Sequence, residues 1–189
     1  MIKRNRTRDP GRDHSGKIDG AVSNTRWASD ITSIKCWNGE KLRVAVILDC
    51  CDRSVISWIA AERIQTCDIE LLVQDALIKR FGHTNLPQGK LQFLHDNGPE
   101  YIEKHLTKTL NQWNIESCCT PIYSPQSNGL VEAFNGTFKR DYVYESCLEN
   151  AKSVQLQIPK WINEYSTYAP HSALNMMTPI EFFNLNQAA

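Results

Sequence analysis

The 189-residue chain lacks several things whose absence narrows its function. Its longest strictly apolar run is Val44 to Leu48, far short of the roughly 20 residues that a bilayer-spanning helix needs. The basic N-terminus, MIKRNRTRDP, has no apolar stretch behind it and does not read as a secretory signal. No CxxC pair occurs, which argues against a structural zinc site. No low-complexity tract is present, and 41% hydrophobic with 22% charged residues is a globular composition, so wholesale disorder is excluded. The seven cysteines are odd in number, and Cys50-Cys51 and Cys118-Cys119 are adjacent pairs. Strand neighbours point to opposite faces, so free thiols in a reducing compartment are expected. The expected location is cytoplasmic.

Net charge is also lacking, since 21 Lys and Arg balance 21 Asp and Glu, but the balance hides an asymmetry. Residues 1–26 carry Lys3, Arg4, Arg6, Arg8, Arg12, Lys17 and Arg26 against Asp9, Asp13 and Asp19, an excess of +4 that the remainder must offset. This segment has Gly11, Gly16 and Gly20 and no apolar periodicity. It reads as an arm or linker able to follow a phosphate backbone, or simply as a solvated tail. An acidic body is compatible with nucleic acid if some of its acids hold metal ions.

From Trp27 the pattern becomes that of strands. Residues 27–36 and 41–49 flank Asn38-Gly39, a strong hairpin signal, and 54–61 continues a three-stranded antiparallel meander. Residues 68–81 place Ile69, Leu72, Val73, Ala76 and Leu77 at helical spacing before Gly82. A strand over 90–95, a helix over 100–113 and a strand over 115–119 follow. Ser124 and Pro125 suit the start of a long helix running to about residue 146, and a last helical region covers 151–168. This order predicts a mixed α/β fold.

Four acids fall where that layout brings segments together: Asp30 on the first strand, Asp49 ending the second, Asp96 ending the fourth, and Glu132 on the long helix. Open α/β sheets gather catalytic groups at strand ends. Converging carboxylates repel, and divalent cations relieve that repulsion; all-oxygen ligation suits Mg²⁺ or Mn²⁺. Taken singly, an Asp at a strand end is more often a turn former than a ligand. The neighbourhoods are more specific, with HDNGPEY around Asp96 and SPQSNGLVEAFNGTFKRD around Glu132. On the latter helix Asn128, Glu132, Asn135 and Lys139 form one polar face, opposite Leu130, Val131, Phe134 and Phe138.

Together, WASDIT, LDCCDRSVISW, HDNGPEY, SPQSNGLVEAFNGTFKRD and PHSALNMMTPIEF resemble the retroviral-integrase-like core of bacterial insertion-sequence transposases of family three. GEKLRVAVILDCCDR and FKRDY are most similar to its insertion-sequence-two branch. The resemblance covers about residues 27–185. It implies a ribonuclease H-like fold, a mixed five-stranded sheet flanked by helices. It maps a catalytic and metal-binding triad onto Asp30, Asp96 and Glu132, holding two Mg²⁺ or Mn²⁺. It implies metal-dependent 3′-end cleavage and strand transfer of an insertion sequence, and DNA contacts from Asn128, Asn135, Lys139 and Arg140. Insertion-sequence ends and target DNA are the implied partners, with a homodimer or higher multimer uniting two ends and a nucleoid-associated location. Residues 1–26 would then be the tail of an upstream DNA-binding region. Asp49 matches a position outside the triad, and Tyr168-Ala169 departs from the usual lead into the Pro170-His171 motif. Another ribonuclease H-like nuclease and a non-catalytic DNA-binding remnant are the competing readings.

Overall fold

A computed structural model of the chain describes residues 22–83, 85–119 and 129–187. Three antiparallel strands open it: β1 (Arg26–Lys35), β2 (Lys41–Asp49) and β3 (Val55–Ala61). The β1–β2 connection closes at Gly39, whose φ of +92° is a conformation that side chains other than glycine rarely adopt. After α1 (Thr66–Phe81) the chain returns as β4 (Leu91–His95), parallel to β1. Then α2 (Lys104–Gln112) leads to β5 (Ile115–Cys119), parallel to β4. The sheet order is β3-β2-β1-β4-β5, the mixed five-stranded sheet expected from the sequence.

Both faces of this sheet are covered, which explains why β2 is a continuous apolar run rather than an alternating one. Leu42, Val44, Val46 and Leu48 face one core, and Ala45 and Ile47 face the other. The second core is capped by α1 through Ile69, Leu72, Val73, Ala76 and Leu77, and by α2 through Leu106 and Leu110. The first is capped by α3 (Gly129–Phe138) through Val131, Phe134 and Phe138, and by α4 (Ala151–Tyr168) through Val154, Ile158, Trp161 and Tyr165. Pro159 lies on the exposed side of α4, so the carbonyl its missing N–H would have bonded can reach water.

Three expectations about helices change. The helix over 100–113 begins only at Lys104, because the preceding residues spend their amides on a tight turn: the Tyr101 and Ile102 N–H groups donate to the Gly98 carbonyl. The long helix stays α-helical to Phe138 and then widens into a π-helical turn over Lys139–Val143, closed by Tyr144 N–H donating to Lys139 O at 2.9 Å. The extra residue in that turn lets Phe138 and Val143 both reach the core. Beyond Tyr168, α5 (Pro179–Gln187) was not anticipated. The proposed start at Ser124 and Pro125 lies outside the described residues, as does nearly all of the basic arm. Among the described residues no helix is long and apolar enough to cross a membrane.

Candidate active site

The ladder between β1 and β4 brings two of the candidate acids together. Its last pair is Ala28 with Leu94; two residues further along each parallel chain stand Asp30 and Asp96. Side chains alternate along a strand. Ala28 and Leu94 pack in the core beneath α3 and α4, so Asp30 and Asp96 face the same side just where that core ends. The third acid arrives on α3, whose apolar stripe packs into the same core and leaves Glu132 exposed in its first turn.

A hydrogen bond fixes how α3 meets β1. The amide Nδ2 of Asn135, which is only 9% exposed, donates to Asp30 Oδ2 at 2.7 Å. Asn135 lies one turn after Glu132 on the same side of the helix, so this bond also brings Glu132 toward Asp30. Asp30 Oδ1 accepts from the Ile31 N–H at 2.8 Å. Burial raises the Asp30 carboxyl above its ordinary value. The Ile31 N–H opposes that rise, the charges of Asp96 and Glu132 add to it, and the Asn135 amide opposes it again. The three acids are therefore electrostatic neighbours.

Asp96 is set by the turn after β4. Its Oδ1 accepts from the Gly98 N–H at 2.8 Å. A Cβ on Gly98 would stand 2.9 Å from that same oxygen and 3.2 Å from Glu100 Oε2, so a larger residue here would have to displace the Asp96 carboxylate. Beneath the turn, buried His95 places Nδ1 2.8 Å from Asp96 O and Nε2 2.8 Å from Ser117 Oγ. A carbonyl only accepts, so Nδ1 carries the proton and the Ser117 hydroxyl donates to Nε2. The His95 ring stacks on Tyr101 with centroids 5.1 Å apart. Ser29 Oγ donates to Val46 O at 2.8 Å, which leaves the Tyr101 hydroxyl as the donor to Ser29 Oγ, also at 2.8 Å. Ser29 precedes Asp30 and His95 precedes Asp96. The Ser29–Tyr101–His95 chain thus ties the two acid-bearing segments together from below. Tyr101 and Ser29 were missed in the sequence; the fixed distance of Tyr101 from the HDNG turn was the available signal.

Among the described residues no three Asp, Glu, His or Cys side chains converge tightly enough to hold an ion as they stand. The donor set nonetheless fits Mg²⁺ or Mn²⁺. Each carboxylate offers hard oxygens with free lone pairs. Among the described residues no arginine, lysine or histidine forms an ion pair with Asp30, Asp96 or Glu132. A cation between them would relieve the repulsion that raises Asp30.

The other candidates divide. Lys139 is half-buried at the start of the π-helical turn. Arg140 is exposed and paired through Nε and Nη2 with the Asp141 carboxylate. Asn128 lies outside the described residues. Asp49 does not join the cluster: β2 runs antiparallel to β1, so its last residue lies opposite Trp27, whereas Asp30 lies opposite Val46. Asp49 is instead a turn former, its oxygens accepting from the N–H groups of Asn24, Cys51 and Asp52.

Comparison with known proteins is consistent with this geometry. Two sequence patterns, each described as an integrase core domain, match residues 21–125 and 114–179. An uncharacterized protein of insertion element IS136 from Agrobacterium fabrum is 41% identical over 174 residues, covering 91% of this chain and 89% of the relative. Transposase InsD of insertion element IS2 from Escherichia coli is 33% identical over 172 residues, covering 90% of this chain and 57% of InsD. Among solved structures, the HTLV-2 integrase catalytic core domain in complex with magnesium has a TM-score of 0.62 at 20% identity, covering 86% of this chain and 98% of that one. The Mos1 mariner transposase catalytic domain has a TM-score of 0.58 at 22% identity, covering 74% of this chain and 70% of that one.

Proposed function

Because the chain belongs to the integrase core domain family and is homologous to insertion-element transposases, we propose that it is a polynucleotidyl transferase that cuts the 3′ ends of an insertion sequence and joins them to target DNA. The observation that carries this reading is that the charges of Asp96 and Glu132, from two other elements, both act on Asp30, while among the described residues no cation pairs with any of the three. The magnesium named for the HTLV-2 integrase core supports dependence on a divalent metal.

Phosphoryl transfer asks the protein for positioning and charge neutralisation rather than for a covalent nucleophile. Asp30, Asp96 and Glu132 would together hold the divalent ions, two of them in this reading. When bound, such a pair supplies charge stabilisation to both the attacking and the leaving oxygen. The residues themselves do the orienting. Asn135 holds Asp30 and keeps α3 against β1, and the Gly98 N–H aims Asp96. Residues 27–185 would form this core, with 1–26 an arm toward DNA. Lys139 would approach a DNA end. Assembly as a dimer or higher multimer would present two sites to two ends, a reading to which the dimeric HTLV-2 integrase core lends support.

The test is joining of a pre-cut element end to target DNA in Mg²⁺ or Mn²⁺. Asp96→Asn and Glu132→Gln should each lose cleavage and joining while unfolding as the parent does. Near-parental joining by either variant would remove that residue from the site. Hydrolysis of an RNA–DNA hybrid without joining would replace the transposase reading by a nuclease one. Lys139→Ala should bind element ends with a salt dependence smaller by about one in log–log slope, and an unchanged slope would make it a solvated lysine.

A further inference from the structure

Helix α3 has a second polar neighbourhood on the side away from Glu132. Leu130, Phe134 and Thr137 recur at helical spacing roughly opposite Glu132, Asn135 and Lys139. With Arg53, Tyr165 and His171 they line a cavity of about 230 Å³.

Two segments with locked backbones deliver its polar groups. Arg53 sits in the β2–β3 turn at a φ of +63°. Its N–H donates to Asp49 O at 3.1 Å, and its carbonyl accepts from the Tyr165 hydroxyl at 3.2 Å. His171 follows α4, its N–H donating to Met177 O at 3.0 Å and its carbonyl accepting from Met176 N–H at 2.9 Å. The His171 ring meets Tyr165 edge-on at 5.0 Å. Both backbones are therefore satisfied, yet both side chains are not. Arg53 Nε and His171 Nε2 are buried without a hydrogen-bond partner. Among the described residues no carboxylate pairs with the Arg53 guanidinium.

An unpaired buried donor costs roughly 1–3 kcal/mol, and more when charged. Arg53 Nε is such a donor, and His171 Nε2 is a second in the tautomer that carries its proton there; with no acid among the described lining residues, the pair suits an acceptor-only ligand. A guanidinium fork matches phosphate oxygens in particular. We propose that this cavity binds a phosphoryl group, with Arg53 and His171 donating to its oxygens. The inference that this phosphate belongs to a DNA backbone rests on the transposase reading; binding of the phosphoryl group itself does not.

The experiment uses the full chain with EDTA present, so that the carboxylate site makes no metal-dependent contribution. Thermal unfolding in inorganic phosphate is compared with chloride at equal ionic strength, for the parent, Arg53→Asn and His171→Gln. Asparagine is chosen because it tolerates positive φ. Arg53→Lys, which keeps the charge and loses the fork, serves if Arg53→Asn does not fold. In parallel, duplex binding is measured against salt. A phosphate-dependent rise in Tm in the parent that the variants lose supports the site. A salt slope lower by about one in the Arg53 variant identifies DNA as the source of the phosphate. A Tm rise with an unchanged slope supports the site for free phosphate and overturns the DNA source. If there is no Tm rise, or if the variants keep the rise in full as a general salt effect, the proposal is overturned and the cavity holds water only. Asp96→Asn should keep the phosphate response, so failure of the catalytic reading and failure of this one are told apart.

Discussion

Asp49 and Asp52 lie at one end of the β1–β2 ladder, while Asp30 and Asp96 lie further along β1 on the side toward α3. The first pair is fully buried, and the protein answers its charge in part from within, although burial and the neighbouring Asp52 still raise the Asp49 carboxyl and Asp52 Oδ2 has no hydrogen-bond partner. Asp49 accepts three backbone N–H groups. Asp52 accepts from the Ser54 N–H and from Arg80 Nη2 at 3.1 Å. Arg80 is itself covered by Phe183, whose ring centroid lies 4.2 Å away. Asp30 is less buried, yet its neighbours include two further carboxylates, and the group that reaches it from α3 is a neutral amide. The contrast teaches that burial alone does not separate a structural acid from a functional one. What separates them is that an arginine, Arg80, stands in the first pair, whereas among the described residues no cation pairs with the second.

The contrast can be broken from either end. Arg80→Met should be the most damaging, lowering stability by about 3–5 kcal/mol in urea or thermal unfolding, because Asp52 would stay buried with no cation beside it. A loss below about 1 kcal/mol would mean that Asp52 is solvated or neutral already. At the other end, Mn²⁺ added at 100-fold over its dissociation constant should stabilise the parent by about 2.7 kcal/mol. Asp30→Asn should lose that response while staying folded; a response that persists in the variant would place the ion elsewhere. Tyr101→Phe should have the smallest effect, about 1 kcal/mol of stability for one buried hydrogen bond. It also loosens the link between the segments carrying Asp30 and Asp96, so the Mn²⁺ concentration needed for half-maximal joining should rise. An unchanged metal requirement would reduce Tyr101 to packing.

Much of this was legible one residue at a time. Val44 to Leu48 reads as a strand buried on both faces because no polar residue interrupts it, and the apolar spacing of α1 falls on one side of a helix. Asn135 was placed on the correct polar face of α3, though its amide turns to Asp30 rather than outward. Residue type alone did not separate Asp49 from the other acids, because a strand-ending aspartate looks the same whether it caps a turn or joins a site; only the resemblance put it outside the triad. Only the antiparallel direction of β2 decides which end of the sheet it occupies. The π-helical turn after Phe138 was equally hidden, since it answers to where the core lies rather than to local propensity.

The sequence by itself determined the strand-rich first half, the helical second half, the supply of acids and the resemblance that groups three of them. These follow from local periodicity and residue type, which a linear reading contains. Only the tertiary structure decided that Asp30 and Asp96 share one strand boundary, that Asn135 pins the helix of Glu132 to them, and that Arg53 and His171 line one cavity without an acid. Such facts depend on groups far apart in the chain and on which charges end up compensated, and no local pattern records either.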